Sequence, residues 1–200
     1  LNSHGNEYEI VGYVGGIAKD ESIWSSRFVG DKAYLVTFRN IDPLWTIDLS
    51  DPTNPEVIGE LEIPGVSTYI HPMGDNHLLT IGIAGDGDGL EWGVTQVSIF
   101  DVSNFSKPQL TSSMRLNSEP EDDKGWSYSY SEATYEHKAF QYWEQDNILA
   151  IPLSTSRWSE NGYEYISKLQ LINAEPGENL TFYSEVNHSS FYDSKYWWDN

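Results

Sequence analysis

Residues 30–37 read Gly-Asp-Lys-Ala-Tyr-Leu-Val-Thr, a turn that leads into an apolar strand. The pattern returns at residues 74–81 as Gly-Asp-Asn-His-Leu-Leu-Thr-Ile and at residues 145–151 as Gln-Asp-Asn-Ile-Leu-Ala-Ile. An aspartate stands at the turn each time. A phrase that returns along a chain indicates a repeat architecture, in which each copy is one small supersecondary unit.

Each turn phrase is followed by a strand that ends in a polar corner, at residues 46–52, 98–104 and 169–176, and then by one more strand-like run. The runs are short, rich in β-branched and aromatic residues, and bounded by Gly, Pro, Asn and Asp, which is typical of strands and turns. The first unit reads as four strands, namely Ser22–Val29, Lys32–Arg39, Leu44–Leu49 and Glu56–Ile63. No segment carries a long apolar period of 3.6 residues, so helices should be few.

Four antiparallel strands per unit of roughly 40 to 50 residues predict an all-β, β-propeller-like fold. We expect three blades, at about 20–65, 66–118 and 130–187, within one partial propeller domain that spans residues 1–200. Partial blades are expected at both ends, because residues 7–14 resemble a fourth strand and residues 188–198 stand where another first strand would begin. An ordinary β-sandwich is the alternative.

Three blades do not close a ring, which leaves unpaired strand edges. The sequence therefore predicts either a fragment of a larger propeller or a homo-oligomer that pairs its open edges. The aromatic stretch Tyr196-Trp197-Trp198 would need to be covered in either case.

The charge of the chain excludes one large class of partner. Asp and Glu number 31 against 11 Lys and Arg, which gives a formal net charge of −20 at pH 7, so a phosphate backbone would be repelled and nucleic-acid binding is not expected. No apolar run approaches the roughly 18 residues that span a bilayer. With no cysteine, the chain has no disulfide, thiolate metal site or cysteine nucleophile.

Several separate phrases carry a resemblance to a known family. They lie at residues 21–28, 33–39, 47–52, 63–72 and 129–140. In these phrases the chain resembles a prokaryotic family of secreted proteins with a C-terminal β-propeller domain distantly related to WD40 repeats. The resemblance implies a secreted, periplasmic or cell-surface propeller that is usually part of a longer chain, and it implies no activity.

Aromatic residues in the insertions between repeat phrases are the candidate ligand-binding residues. They are Trp92, Trp126, Tyr128 and Trp158. Rigid aromatic side chains in loops stack on sugar rings or accept peptide side chains. The alternative is that they fill the seams between blades.

Two histidines hold roughly comparable places in successive units. They are His71 and His137, and Glu132 precedes the second of them by five residues. A histidine beside a carboxylate can transfer protons, so these three residues are the catalytic candidates if the chain is an enzyme. The alternative is that both are hydrogen-bonded strand histidines. The sequence holds no Gly-x-Ser-x-Gly motif, phosphate-binding loop or His-Glu-x-x-His motif.

A calcium site is the candidate cofactor site. Residues 85–89 read Gly-Asp-Gly-Asp-Gly, and Glu91 follows, so Asp86, Asp88 and Glu91 could supply hard oxygen ligands for Ca²⁺. The alternative is a solvated turn between two strands.

Two arginines lie near the first-unit strands, with carboxylates close by in sequence. They are Arg27 and Arg39, and Asp20 and Glu21 precede them. An arginine beside carboxylates on a strand indicates a structural ion pair between neighbouring strands more often than a functional group.

Together these patterns predict a non-catalytic, extracytoplasmic binding or scaffolding module with a protein or glycan ligand. One alternative is a polysaccharide-acting hydrolase or lyase with an axial carboxylate and histidine site. Another is a purely structural part of a larger secreted protein. The fold cannot decide between these functions, because a propeller fold hosts many unrelated ones. The decision depends on the residues of the site.

Overall fold

Short antiparallel strands make up most of the protein. The computed structural model describes residues 2–4, 7–38, 42–86, 89–117, 126–159, 162–188 and 190. Within them lie β1 (Asn2–His4), β2 (Glu7–Glu9), β3 (Ser22–Val29), β4 (Lys32–Phe38), β5 (Asp42–Asp48), β6 (Glu56–Ile63), β7 (Val66–Met73), β8 (His77–Gly85), β9 (Leu90–Asp101), β10 (Gln109–Arg115), β11 (Trp126–Tyr130), β12 (Gln141–Trp143), β13 (Ile148–Ser159), β14 (Gly162–Asn173) and β15 (Thr181–Asn187). The described residues hold two helices, both short 3₁₀ helices, at Glu132–Thr134 and His137–Ala139.

Three sheets follow one another along the chain, and we call them blades 1 to 3. Blade 1 has the order β3-β4-β5-β6 and blade 2 the order β7-β8-β9-β10. Blade 3 has the order β11-β13-β14-β15, with β12 also paired to β13. Every paired strand is antiparallel. The predicted all-β, propeller-like fold is confirmed.

Blade 3 departs from the predicted four-strand pattern at its first strand. Two short strands, β11 and β12, pair with different parts of the long strand β13, and the two 3₁₀ helices lie between them. The first of these helices begins at Ser131, whose side chain accepts a hydrogen bond from the Ala133 N–H and donates one of 2.6 Å to the Pro152 carbonyl. A local side-chain cap of this kind competes with strand pairing and interrupts it.

The repeated sequence phrases form the same local structure in each blade. The N–H groups of Leu49, Val102 and Ala174 each donate a 2.8 Å hydrogen bond to the first turn of their own blade. Their acceptors are the carbonyls of Asp31, Asn76 and Asn147. The turns contain left-handed residues, namely Gly30 at φ 59°, Gly74 at φ 62° and Asn147 at φ 54°. Glycine adopts this conformation freely, and Asn tolerates it better than most residues.

The core lies between the blades. Adjacent residues of a strand point to opposite faces of a sheet, and both faces of blade 2 are buried. Leu78, 1% exposed, packs in the cluster with blade 1, whereas Leu79, 0% exposed, packs in the cluster with blade 3. Polar contacts also cross the seams: Ser25 Oγ donates to the Ser67 carbonyl at 2.6 Å, and Thr46 Oγ1 donates to the Phe105 carbonyl at 2.6 Å.

The start of the chain forms a small sheet of its own, and the end of the chain is not described. Strand β2, at the start of the segment expected to extend a blade, pairs with β1 in a two-stranded sheet instead. Residues 191–198, including the aromatic stretch at 196–198, lie outside the described residues. Among the described residues, no helix has the length and apolar character needed to cross a membrane.

Candidate functional site

Blade 3 carries two of the predicted ligand-binding residues side by side. Trp126 of β11 lies directly opposite Trp158 of β13, which in turn lies opposite Tyr163 of β14. Both tryptophans are 50% exposed, and the ring centroids of Trp126 and Tyr163 are 6.3 Å apart. Because residues paired across strands share one sheet face, these three rings form an exposed row.

The other two predicted ligand-binding residues line one pocket between blades 2 and 3. Trp92 of β9 and Tyr128 of β11 face a cavity of about 200 Å³, which Ile83 and Val94 also line. Trp92 is 65% exposed and Tyr128 41%. We call the four residues Trp92, Trp126, Tyr128 and Trp158 the aromatic end.

The alternative interpretation is that these rings fill the seams between blades, and Trp92 does so in part. Its ring lies 6.1 Å from the ring of Trp24 in blade 1, measured between centroids. The indole nevertheless keeps most of its surface exposed, so it is available for contact with a ligand. That the aromatic end binds a ligand stays a prediction.

The structure brings the two catalytic-candidate histidines to one tyrosine. The Tyr69 ring centroid lies 4.6 Å from that of His137 and 6.3 Å from that of His71. Tyr69 Oη also lies 3.4 Å from Nδ1 of His71. Phe140 completes the cluster, with its ring centroid 4.9 Å from Tyr69 and 5.6 Å from His71.

The half-buried His71 is held in its neutral form. Burial is the main cause of its lowered pKa, repulsion from the Arg27 guanidinium adds to it, and the Glu144 carboxylate opposes both. Near His71, burial is the main cause that raises the pKa of Tyr142 to about 12. The Tyr142 hydroxyl donates a 2.9 Å hydrogen bond to Asn147 Oδ1. At pH 7 both His71 and Tyr142 are therefore uncharged.

The third catalytic candidate does not join the histidines. Glu132 is exposed in the first 3₁₀ helix, where its charge contributes to the raised pKa of Tyr130. In the part of the chain that the structure describes, no hydrogen bond links the Glu132 carboxylate to His71 or His137. The proton-transfer arrangement that the sequence suggested is therefore not assembled in this structure.

A second cavity lies between the first strands of blades 1 and 2. It measures about 290 Å³. Its lining residues are Ile23, Trp24, Ser25, Ser26, Arg27, Thr68, Tyr69, Ile70 and His137. We call it the arginine pocket, because Arg27 is the only lysine or arginine among the described residues that line it.

The prediction that Arg27 forms a structural ion pair is wrong as far as the described residues are concerned. No described carboxylate forms a salt bridge with it, and its buried Nε–H has no hydrogen-bond partner. Glu21, the neighbour in sequence, instead accepts a 2.6 Å hydrogen bond from Thr37 Oγ1, which in turn accepts one from Trp45 Nε1. The other arginine of that prediction, Arg39, lies outside the described residues.

The predicted calcium site is described only in part. Glu91 forms an ion pair with Arg115, and Asp88 lies outside the described residues, whereas Asp86 directly follows the strand β8. Among the described residues, no group of three His, Asp or Glu side chains is placed to bind a metal ion. Calcium binding by Asp86, Asp88 and Glu91 stays a prediction.

A further cavity lies in blade 3, near the turns at residues 146–147 and 175–180. It measures about 420 Å³ and is lined by three carboxylates with neutral amide and hydroxyl groups. Its residues are Asp146, Asn147, Asn173, Glu175, Glu178, Asn179 and Thr181. It contains none of the candidate ligand-binding, catalytic or calcium-binding residues of the sequence analysis.

Three successive antiparallel blades, packed face to face around buried apolar seams, define a β-propeller protein. The chain belongs to the family described as "Beta propeller domain", whose family model matches residues 4–200. It is 40% identical over 147 residues to an uncharacterised protein of Methanocaldococcus jannaschii, covering 74% of this chain and 21% of that protein. It is 36% identical over 171 residues to an uncharacterised protein of Archaeoglobus fulgidus, covering 84% of this chain and 24% of that protein.

The chain thus spans about a fifth to a quarter of the length of these curated relatives. Among solved structures, it is similar to the β-propeller domain of Nup133 from Vanderwaltozyma polyspora. The TM-score is 0.35 with 12% sequence identity, and the match covers 82% of this chain and 47% of that one.

Proposed function

We propose that this propeller is a non-catalytic binding module that holds a polypeptide through its aromatic end. The observation that carries the proposal is the pairing of Trp92 and Tyr128 around one cavity while both rings stay exposed. When a partner binds, exposed aromatic rings become buried over a large area with little loss of side-chain entropy. Such rings dominate the energetics of many protein interfaces.

The charge of the chain indicates which polypeptide fits. At a net charge of −20, the surface attracts a basic segment over long range and speeds its association. Arg115 and Arg157, near the aromatic end, are each neutralised by a glutamate, Glu91 and Glu164 respectively. A lysine or arginine of the partner would also gain a cation–π contact with an exposed indole.

A direct test uses peptide and glycan arrays in parallel, probed with the labelled protein. We expect basic peptides to bind and glycans not to bind. Trp92→Ala should weaken peptide binding by roughly tenfold or more, as expected when an aromatic anchor is truncated. Trp143→Ala is the matched control, because Trp143 is 63% exposed on β12 and outside the aromatic end.

Two results would contradict the proposal. One is binding to glycans alone, which would support the alternative ligand class. The other is peptide binding that Trp92→Ala and Trp143→Ala weaken equally, since the indoles would then act as unspecific apolar surface.

A polysaccharide-acting enzyme is the weaker candidate, because the site suggested for it combines a carboxylate with a histidine that can exchange a proton with it. Glu132 does not provide this contact to His71 or His137 in the described structure. A scaffold role within a longer chain is compatible with the partial coverage of the relatives. The location outside the cytoplasm is proposed from the family resemblance alone.

A further inference from the structure

We propose that the arginine pocket is a binding site for a small monocarboxylate that carries a flat ring. The site adjoins the proposed polypeptide contact where the Trp24 ring lies 6.1 Å from that of Trp92, but the inference does not depend on that contact. Three observations carry it: an unpaired buried N–H group of Arg27, aromatic walls on the cavity, and a volume suited to one small molecule.

The Arg27 guanidinium needs a partner that the described chain does not supply. Its Nε atom is buried with no hydrogen-bond partner, and no described carboxylate pairs with it, although the chain carries 31 Asp and Glu. A buried donor without an acceptor is destabilising, so such groups in proteins are uncommon outside functional sites. An anion held in the cavity beside Arg27 would supply the counter-charge that no described carboxylate provides.

The position of Arg27 is fixed by the sheet. It lies directly opposite Tyr34 across the β3–β4 pair, and Tyr34 belongs to the buried cluster between blades 1 and 2. The guanidinium therefore belongs to the face of blade 1 that meets blade 2, where the cavity opens. The adjacent Ser25 hydroxyl is already engaged with the Ser67 carbonyl at 2.6 Å.

The charge around the cavity selects a monoanion. Among the described residues that line it, Arg27 is the only lysine or arginine, and the nearby His71 has its pKa lowered by burial and by the Arg27 guanidinium. A single guanidinium matches a single carboxylate in both charge and planar, two-pronged geometry. A phosphate dianion would leave one charge without a partner in a strongly acidic protein.

The walls of the cavity select a ring. Trp24, Tyr69 and His137 supply three flat faces, and the rings of Tyr69 and His137 are tilted by 34° at 4.6 Å. At about 290 Å³, the cavity lies at the lower end of the range for small-molecule sites. It fits one ring with its carboxylate better than a folded peptide segment.

The experiment uses two matched probe pairs with flat rings, benzoate with benzamide and nicotinate with nicotinamide, together with inorganic phosphate. The ¹H–¹⁵N resonance of the Arg27 Nε–H is followed by NMR, and affinity is obtained from the same titration. We expect an acid, but not its neutral counterpart, to shift this resonance in a saturable way. Arg27→Gln should weaken that binding by roughly tenfold to a hundredfold.

Arg115→Gln is the control, since it removes the same charge from an exposed ion pair on β10. It should leave the affinity for the acid unchanged. If Arg27→Gln does not fold, Arg27→Lys keeps the charge without the planar fork and should still weaken binding. Equal binding of acids and their neutral counterparts, tighter binding of phosphate, or no shift with either acid would overturn the proposal.

Stability provides a second readout that separates a ligand site from a structural arginine. Without ligand, Arg27→Met should unfold in urea at the same or a higher concentration than the wild type, because an uncompensated buried donor is removed. In saturating acid, only the wild type should gain stability. A markedly lower midpoint for Arg27→Met without ligand would instead assign Arg27 to the fold.

Discussion

Ser129 of blade 3 accepts a 2.8 Å hydrogen bond from the backbone N–H of Thr95 in blade 2, and both residues are only 3% exposed. This bond joins the strand that carries Tyr128 to the strand that carries Trp92. The aromatic end is therefore positioned by a buried polar contact between two blades as well as by apolar packing.

Removing the Ser129 hydroxyl should destabilise the protein measurably. Ser129→Ala leaves the Thr95 N–H buried without an acceptor, so we expect the free energy of unfolding to fall by about 1–3 kcal/mol. Urea denaturation at equilibrium measures it. Ser113→Ala on exposed β10 is the control, and an equal loss in both variants would show that the bond between the blades has no special weight.

Side chains in the seam between blades 2 and 3 should contribute more to the free energy of unfolding than side chains on the outer surface. Leu149 is 0% exposed in that seam, and Leu149→Ala should lower the free energy of unfolding by about 2–5 kcal/mol. Leu110, which is 38% exposed, provides the matched change, and Leu110→Ala should cost far less. Similar losses in the two variants would argue against a core placed between the blades.

The backbone at Gly93 should control the position of Tyr128. A Cβ atom added at Gly93 would lie 2.7 Å from Tyr128 Cδ2, too close for the ring to stay in place. Gly93→Ala should therefore weaken peptide binding at the aromatic end, measured by titration with the peptide. The protein should stay folded, as judged by circular dichroism. Unchanged affinity would mean that the position of Tyr128 does not matter for binding.

The lowered pKa of His71 makes part of the stability depend on pH. The unfolded chain takes up a proton at the ordinary histidine pKa of 6.5, whereas folded His71 does so only at lower pH. Between the two pKa values the unfolded state binds more protons, so stability falls as the pH drops through this window.

The check is to measure urea unfolding of the wild type and His71→Gln from pH 7.5 downward. The wild type should lose stability relative to the variant below about pH 6.5, and the difference should level off below the folded pKa. Parallel curves for the two proteins would contradict a neutral, half-buried His71.

The blades were predictable because their determinants are local. The strands predicted for blade 1 agree with β3 to β6 to within two residues at each boundary. The repeated aspartate turns reflect one left-handed residue and one closing hydrogen bond per blade, both of which act over a few residues. The interrupted first strand of blade 3 was missed, because its 3₁₀ helices depend on the Ser131 contact with Pro152, 21 residues away.

The sequence predicted site residues only where a prediction of surface exposure was sufficient to find them. All four residues of the aromatic end are exposed, although they lie on the strands β9, β11 and β13 and not in loops as expected. Arg27 was misread as an ion-pair residue, since Glu21, the nearer of the two carboxylates that precede it in sequence, bonds to Thr37 in the fold. Trp24 and Tyr69 gave no signal of their own, because their role follows from the packing of blade 1 on blade 2.

Hydroxyl-radical footprinting of the protein, free and saturated with its best-binding basic peptide, tests the proposed polypeptide contact most directly. The account predicts that Trp92 and Tyr128 are protected from oxidation in the complex, whereas Trp143 is oxidised equally in both states. Equal oxidation of Trp92 with and without the peptide would contradict it.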